Sequence, residues 1–246
     1  MRSTSIKIPA DVARTIPGLM WSPDKVSDDD KTSLAKFRTE LNAKLESFGP
    51  CFVRLGTRSP KDSWFWRGSS DYFPITSGKD ALSCIMNSER CFDDLNTDSS
   101  AKKDSFIWLR EFWSMPEHQE FRCFMLNKEL RGISQYYNCG PPFETKHYPW
   151  IQQFKSEIAE SIRQFFESKF LPVIHTDNVV FDVFVEINKD SARPVEVKLI
   201  EINPADSFTY PALFTWGTKP RPFGMVSGEF STQDFDGSLR YVPAEL

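Results

Sequence analysis

Two acids stand where acids are costly. Asp182 lies within the run Val179 to Val185, and Glu201 lies within Val197 to Ile202. Apolar residues on both sides predict a buried pair of strands. A lone carboxylate there costs several kcal/mol unless it is paired or bound to metal. If the hairpin turns between Ser191 and Ala192, the two acids are equally far from the turn and face each other. A strand period of two then sets Asn203 on the side of Glu201. Directly opposed carboxylates repel, and without a cation one of them is expected to hold a proton near neutral pH. A divalent cation would resolve the conflict. Oxygen donors without His or Cys point to magnesium, with Asp182, Glu201 and the Asn203 carbonyl as ligands and a phosphate completing the shell. The simpler alternative is that Lys198 or an arginine pairs with each acid. Lys198 is an odd number of positions from Glu201, which predicts that it points to the other face.

Arginines add a second feature. Arg54, Arg110 and Arg122 each stand inside an apolar strand pattern (CFVRL, FIWLREFW, EFRCFML). Arginine is rarely buried unless it meets an anion. Singly each reads as a structural ion pair; together with a magnesium site they read as a polyphosphate clamp. The stretch Gly56 to Asp62 could face phosphate through its backbone N–H groups and Lys61, or form an ordinary turn. Three histidines, His118, His147 and His175, are dispersed, and His118 after Pro116 is expected to be exposed. Signatures of P-loop, dinucleotide-binding and serine-hydrolase sites are missing. Cys and His offer no evident nucleophile, so no catalytic residue is assigned. Tyr210, Phe214, Trp216 and Phe208 read as core aromatics.

The elements that must hold these residues belong to an ordinary globular chain. It has 246 residues, 40% of them hydrophobic and 26% charged, which excludes a disordered or fibrous class. A net charge of −4 argues against non-specific nucleic-acid binding. Five cysteines without a C-x-x-C pair argue against a disulfide framework or zinc knuckle; Cys51 and Cys123 read as buried thiols. The N-terminus has no apolar leader core, and no stretch approaches a membrane span. A reduced, cytoplasmic, monomeric protein is expected.

Residues 5–20 suggest a short strand and one helical turn, with Ser27 to Lys31 as a polar break. Helices are predicted over 32–47, 79–86 and 150–169 by their apolar spacing. Strands are predicted at 51–55, 106–113, 120–126, 130–137, 179–187 and 195–202, with a hairpin turn at Asn127-Lys128-Glu129. The tail from 217 looks loosely structured. Mixed order without strict alternation predicts an α+β fold, divided into lobes at 1–105 and 106–246.

These residues also resemble a family. Glu201-Ile202-Asn203-Pro204 is similar to the E-x-N-P signature of the ATP-grasp superfamily, and Asp182 to its other metal carboxylate. More specific is an ordered series: Leu109-Arg110, Glu120-Phe121-Arg122-Cys123-Phe124, Gly132-Ile133-Ser134-Gln135, Val180-Phe181-Asp182-Val183 and Leu213-Phe214-Thr215-Trp216. That series resembles the cell-division-cycle protein 123 family over roughly 48–216. The resemblance implies an ATP-grasp fold of two lobes, with nucleotide between antiparallel sheets. It implies ATP and Mg2+ as cofactors, and kinship with a chaperone that assembles eukaryotic translation initiation factor 2. Carried over, Asp182, Glu201 and Asn203 would hold magnesium and Arg122 would meet phosphate. Arg54 and Lys61 would lie toward phosphate, and the strand Trp108-Leu109-Arg110-Glu111 would hold adenine. Three departures stand out: the family's D-F-N-P is Glu201-Ile202-Asn203-Pro204 here, its lysine is Arg54, and its L-R-K-W is Leu109-Arg110-Glu111-Phe112. The partner would be an initiation-factor subunit or another protein acceptor. The alternative is a compact ATP-grasp ligase, or a phosphoryl or nucleotidyl transferase.

Overall fold

The computed structural model describes residues 2–56, 58–63, 74–136, 148–187, 195–206, 209–214, 219–220, 226–227 and 238–240. The chain forms two compact units, Met1–Ser114 and Met115–Leu246, of mixed α and β structure, with sheets that are antiparallel except for one short parallel edge strand.

In the first unit, β1 (Ser3–Ile8), β3 (Ser105–Glu111) and β2 (Cys51–Leu55) form an antiparallel sheet in that order. The expected division at residue 105 would sever β3 from both of its partners; the unit instead continues to Ser114. One face of the sheet carries Ile8, Val53, Leu55, Ile107 and Leu109. They join one buried cluster with residues of α1 (Ala10–Trp21), α2 (Asp28–Phe48), α3 (Gly78–Met86) and α4 (Glu89–Ser100). Phe37, Leu41, Leu45 and Phe48 lie on one face of α2, at the spacing that buries a helical stripe.

Three sequence expectations change here. α1 is a twelve-residue helix rather than a single turn. Ser27 to Lys31 does not break the chain but starts α2: the Ser27 side chain accepts from the Asp30 backbone N–H, and Asp28, Asp29 and Asp30 occupy the first turn. Acids are favourable there because the unsatisfied N–H groups carry partial positive charge. α4, which no apolar spacing announced, is capped by the Ser88 hydroxyl on the Cys91 N–H.

In the second unit a five-stranded sheet runs in the order β10 (Leu239–Arg240), β5 (Glu129–Gln135), β4 (Glu120–Leu126), β6 (Val179–Ile187), β7 (Val195–Pro204). The β4–β5 hairpin turns on Asn127 and Lys128, whose φ of 53° and 64° give the left-handed two-residue turn that matches strand twist. Phe121, Cys123, Phe181, Val183 and Val185 line one face of the sheet. α5 (Tyr148–Phe165) and a π turn at Phe166–Phe170 cover that face with Ile158, Ile162, Phe166 and Phe170. The Phe170 and Phe181 rings stack at 4.2 Å.

The tail expected to be loose contributes β8 (Lys219–Pro220), β9 (Val226–Ser227) and β10, which pairs parallel with β5. Trp64, Trp66, Cys139, His147, Phe208, Trp216 and the predicted turn at Ser191 and Ala192 lie outside the described residues. No helix among the described residues is long and apolar enough to cross a membrane.

Candidate functional site

The opposed acids of the sequence are opposed in the fold. Asp182 pairs with Glu201, and Asn203 with Val180, in the β6–β7 ladder. Beyond Asp182 the register shifts, because Ile200 is the extra residue of a β-bulge: Val183 faces Leu199 and Phe184 faces Lys198. This bulge reverses the face expected for Lys198. One extra residue turns an odd separation into a shared face, so Lys198 stands on the side of Asp182 and Glu201. Its ammonium meets Glu186 at 2.8 Å and Glu196 at 3.3 Å. The Glu186 hydrogen bond is the main reason its pKa is raised.

Arg122 faces Asp182 from the other side, on β4. Its guanidinium makes a bidentate fork: Nε donates to Oδ1 and Nη2 to Oδ2 of Asp182, both at 2.8 Å. Nη1 donates to the Tyr210 carbonyl at 2.6 Å, and the Tyr136 ring lies 4.7 Å from the guanidinium carbon. Arg122 is 4% exposed and Asp182 0%. Burial acts to lower the Arg122 pKa, but the hydrogen bonds and charge of Asp182 outweigh it and raise it. The Asn203 amide donates to Asp182 Oδ2 at 3.2 Å. The proton expected on one of the two acids is therefore not needed to relieve their repulsion, since a guanidinium already answers the Asp182 charge.

The register extends this into a polar row across all five strands: Arg240, Ser134, Arg122, Asp182, Glu201. Residues 209–214 contact both the end of β7 and the row. The Thr209 hydroxyl donates to the Pro204 carbonyl, the Tyr210 carbonyl accepts from Arg122, and the Leu213 N–H donates to the Ser134 hydroxyl. Arg240 donates to the Leu213 carbonyl and stacks at 4.1 Å over Phe214. Phe214 is buried as expected; Tyr210 is 47% exposed and is not core. Sequence reasoning missed Arg240, since a two-residue strand in a polar tail has no periodicity to read. Ser134 could have been found, since it stands within a strand pattern on the hairpin of Arg122.

Asp182 and Glu201 of the row, with Asn203 two residues further along β7, offer two carboxylates and an amide oxygen, the donor types that magnesium takes, although both Asp182 oxygens are engaged by Arg122. Among the described residues no group of three or more His, Cys, Asp and Glu gathers as a metal site, so this mixed set is what the sheet offers.

The remaining candidates lie in the first unit. Arg54 pairs with Trp108, and Phe52 with Arg110, so Arg54, Trp108 and Arg110 share the sheet face opposite the Val53 and Leu109 core. Arg54 and Arg110 are half-buried and Trp108 is 38% exposed. Burial inside an apolar strand therefore describes Arg122 but not these two, which stand on the alternate face. Leu109 and Glu111 point to the opposite face from Trp108, and Leu109 is fully buried. Lys61 is half-buried in a turn closed by Ser63 N–H on the Pro60 carbonyl. Its neighbour Asp62 accepts from the Ser88 hydroxyl and the Arg90 N–H, tying this loop to the start of α4. His118 is half-buried, edge-on to Trp150 at 4.8 Å, rather than exposed. Cys51, Cys84, Cys91 and Cys123 are buried; burial pushes the Cys51 thiol up to about 12 and Cys91 up to about 11.

Comparison with known proteins gives a consistent picture. The family model described as D123 matches residues 20–245. The translation initiation factor eIF2 assembly protein of Xenopus laevis is 28% identical over 239 residues, 89% of this chain and 66% of that protein. Its Xenopus tropicalis counterpart is 29% identical over 237 residues, with the same coverage of each. The chain thus spans just under two thirds of the length of these relatives. The solved structure of Cdc123 from Schizosaccharomyces pombe superposes with a TM-score of 0.62 at 22% identity, over 87% of this chain and 82% of that one. The two share a fold.

Proposed function

We propose, from the premise that this chain belongs to the D123 family, that it is an assembly factor for translation initiation factor eIF2 that binds ATP with magnesium. The alignment with eIF2 assembly proteins over 89% of the chain carries the assembly role. The polar row supports the nucleotide. Asp182, Glu201 and Asn203 would hold magnesium, and Arg122 would be the charged donor for a phosphate. In the first unit, the face bearing Arg54, Trp108 and Arg110 combines a flat ring with two guanidinium groups, which suits a base and its phosphates. Arg54, Trp108 and Arg110 keep their proposed nucleotide roles on that chemistry and Lys61 that of a charge turned toward phosphate, while Leu109 and Glu111, whose side chains point to the other face, would serve through backbone groups. An ATP-grasp arrangement is the fold reading that goes with these assignments.

The test is purification of the tagged chain from its native host, with and without ATP and magnesium in the buffer. Recovery of an eIF2 subunit, stronger with the nucleotide, is the expected result. Repeated recovery of none would overturn the assembly role.

A further inference from the structure

We propose that Arg122 is the resident cation of the carboxylate pair, so that the site admits a divalent cation only together with an anion that draws Arg122 off Asp182. This rests on the magnesium–nucleotide reading and adds a rule for what the site accepts.

Three observations lead there. First, both Asp182 oxygens are already engaged by the Arg122 fork at 2.8 Å, in a place with almost no solvent. A bare divalent ion coming to Asp182 would meet the guanidinium charge at close range, with little water to screen it. Second, the third Arg122 contact is to a neutral acceptor, the Tyr210 carbonyl. An anionic oxygen is a stronger acceptor for guanidinium than a carbonyl, so this contact is the exchangeable one. Third, Arg122 lies beside the Tyr136 ring at 4.7 Å. A ring face attracts the cation with weaker directional demand than a hydrogen bond, so Arg122 can turn its donors without leaving its seat. A phosphate entering there gains the guanidinium first at Nη1 and, with its further anionic oxygens, then competes with Asp182 for the fork at Nε and Nη2, while the metal ion takes up the Asp182 charge. Asp182 is then released toward Glu201 and Asn203. An ion that arrives with a phosphate satisfies both halves of the exchange; an ion alone satisfies one and opposes the other.

The probe is manganese, read by equilibrium dialysis as the excess of total manganese in the compartment that holds the intact chain, since ATP and its manganese complex equalise across the membrane by themselves. Wild type should retain no Mn2+ from MnCl2 alone and should retain it from MnCl2 with ATP. Arg122→Gln should gain affinity for Mn2+ alone by about tenfold or more, and its melting temperature should rise with added Mn2+. Arg122→Gln combined with Asp182→Asn should lose that gain. Wild type that binds Mn2+ alone as tightly as with ATP overturns the proposal. So does an Arg122→Gln protein that gains nothing while wild type binds Mn2+ with ATP; the nucleotide reading then survives. Wild type that ignores ATP, beside an Arg122→Gln protein that binds Mn2+, sinks the nucleotide reading and supports the resident cation. If Arg122→Gln folds neither alone nor in Mn2+, the wild-type comparison decides.

Discussion

At the scale of single residues, the Arg122–Asp182 pair reverses an expectation. Two opposed acids predict that removing one charge leaves the ligand-free protein at least as stable. With the guanidinium in place, Asp182→Asn instead strands a buried cation, 5% exposed at its side chain. The expected loss is about 3–5 kcal/mol, read by urea denaturation without divalent ions. Glu201→Gln should cost about 1 kcal/mol or less, because Glu201 is half-buried. Equal losses for both variants would show that the acids, rather than the guanidinium fork, dominate. Asp62 supplies a pH test. Burial pushes its pKa up, but the Ser88 and Arg90 hydrogen bonds outweigh this and hold it below the ordinary 3.8. A carboxyl lowered on folding stabilises above its unfolded pKa and loses that contribution as pH falls through the folded value. The melting-temperature gap between wild type and Asp62→Asn should be full at neutral pH and close below pH 3.8. A gap that stays constant into acid would place the effect in packing.

At the scale of elements, the segment 209–214 turns with Ala212 at φ 55°, closed by Phe214 N–H on the Pro211 carbonyl. An L side chain is disfavoured in the left-handed region and glycine is not. Ala212→Gly should therefore stabilise by about 0.5–1 kcal/mol despite glycine's greater unfolded freedom. A lower melting temperature would mean that the Ala212 methyl packs usefully. The bulge at Ile200 is the other decisive local feature. It puts Lys198 between Glu186 and Glu196, which face each other across the ladder. Like charges in that position repel, and the lysine offsets them.

At the scale of the whole molecule, each unit has its own apolar centre. The first surrounds Phe37, Leu41, Val53 and Leu109, and the second surrounds Phe121, Phe181 and the face of α5. Phe181 is fully buried, stacked on Phe166 and Phe170. Phe181→Ala should cost about 3–5 kcal/mol, measured as a fall in the denaturant midpoint. A loss under about 1 kcal/mol would mean that the ring stack closes over the gap.

The sequence by itself determined what local pattern can specify. Equal distance from an assumed turn between Ser191 and Ala192 placed Asp182 opposite Glu201, helical spacing placed Ile151, Ile158 and Ile162 on one face of α5, and apolar runs identified β4 and β6. The ordered motif series also identified the family that the comparisons bear out. Tertiary structure decided the rest, because each point depends on residues far apart in the chain. That Arg122 pairs with Asp182 is a matter of register between strands sixty positions apart. That Arg54 and Arg110 stand half-buried depends on which sheet face the helices cover. That Arg240 joins the row follows from a two-residue strand that only its β5 neighbour makes extended. Lys198 changed sides because one bulge shifts parity, and a single inserted residue leaves no mark on hydrophobic spacing.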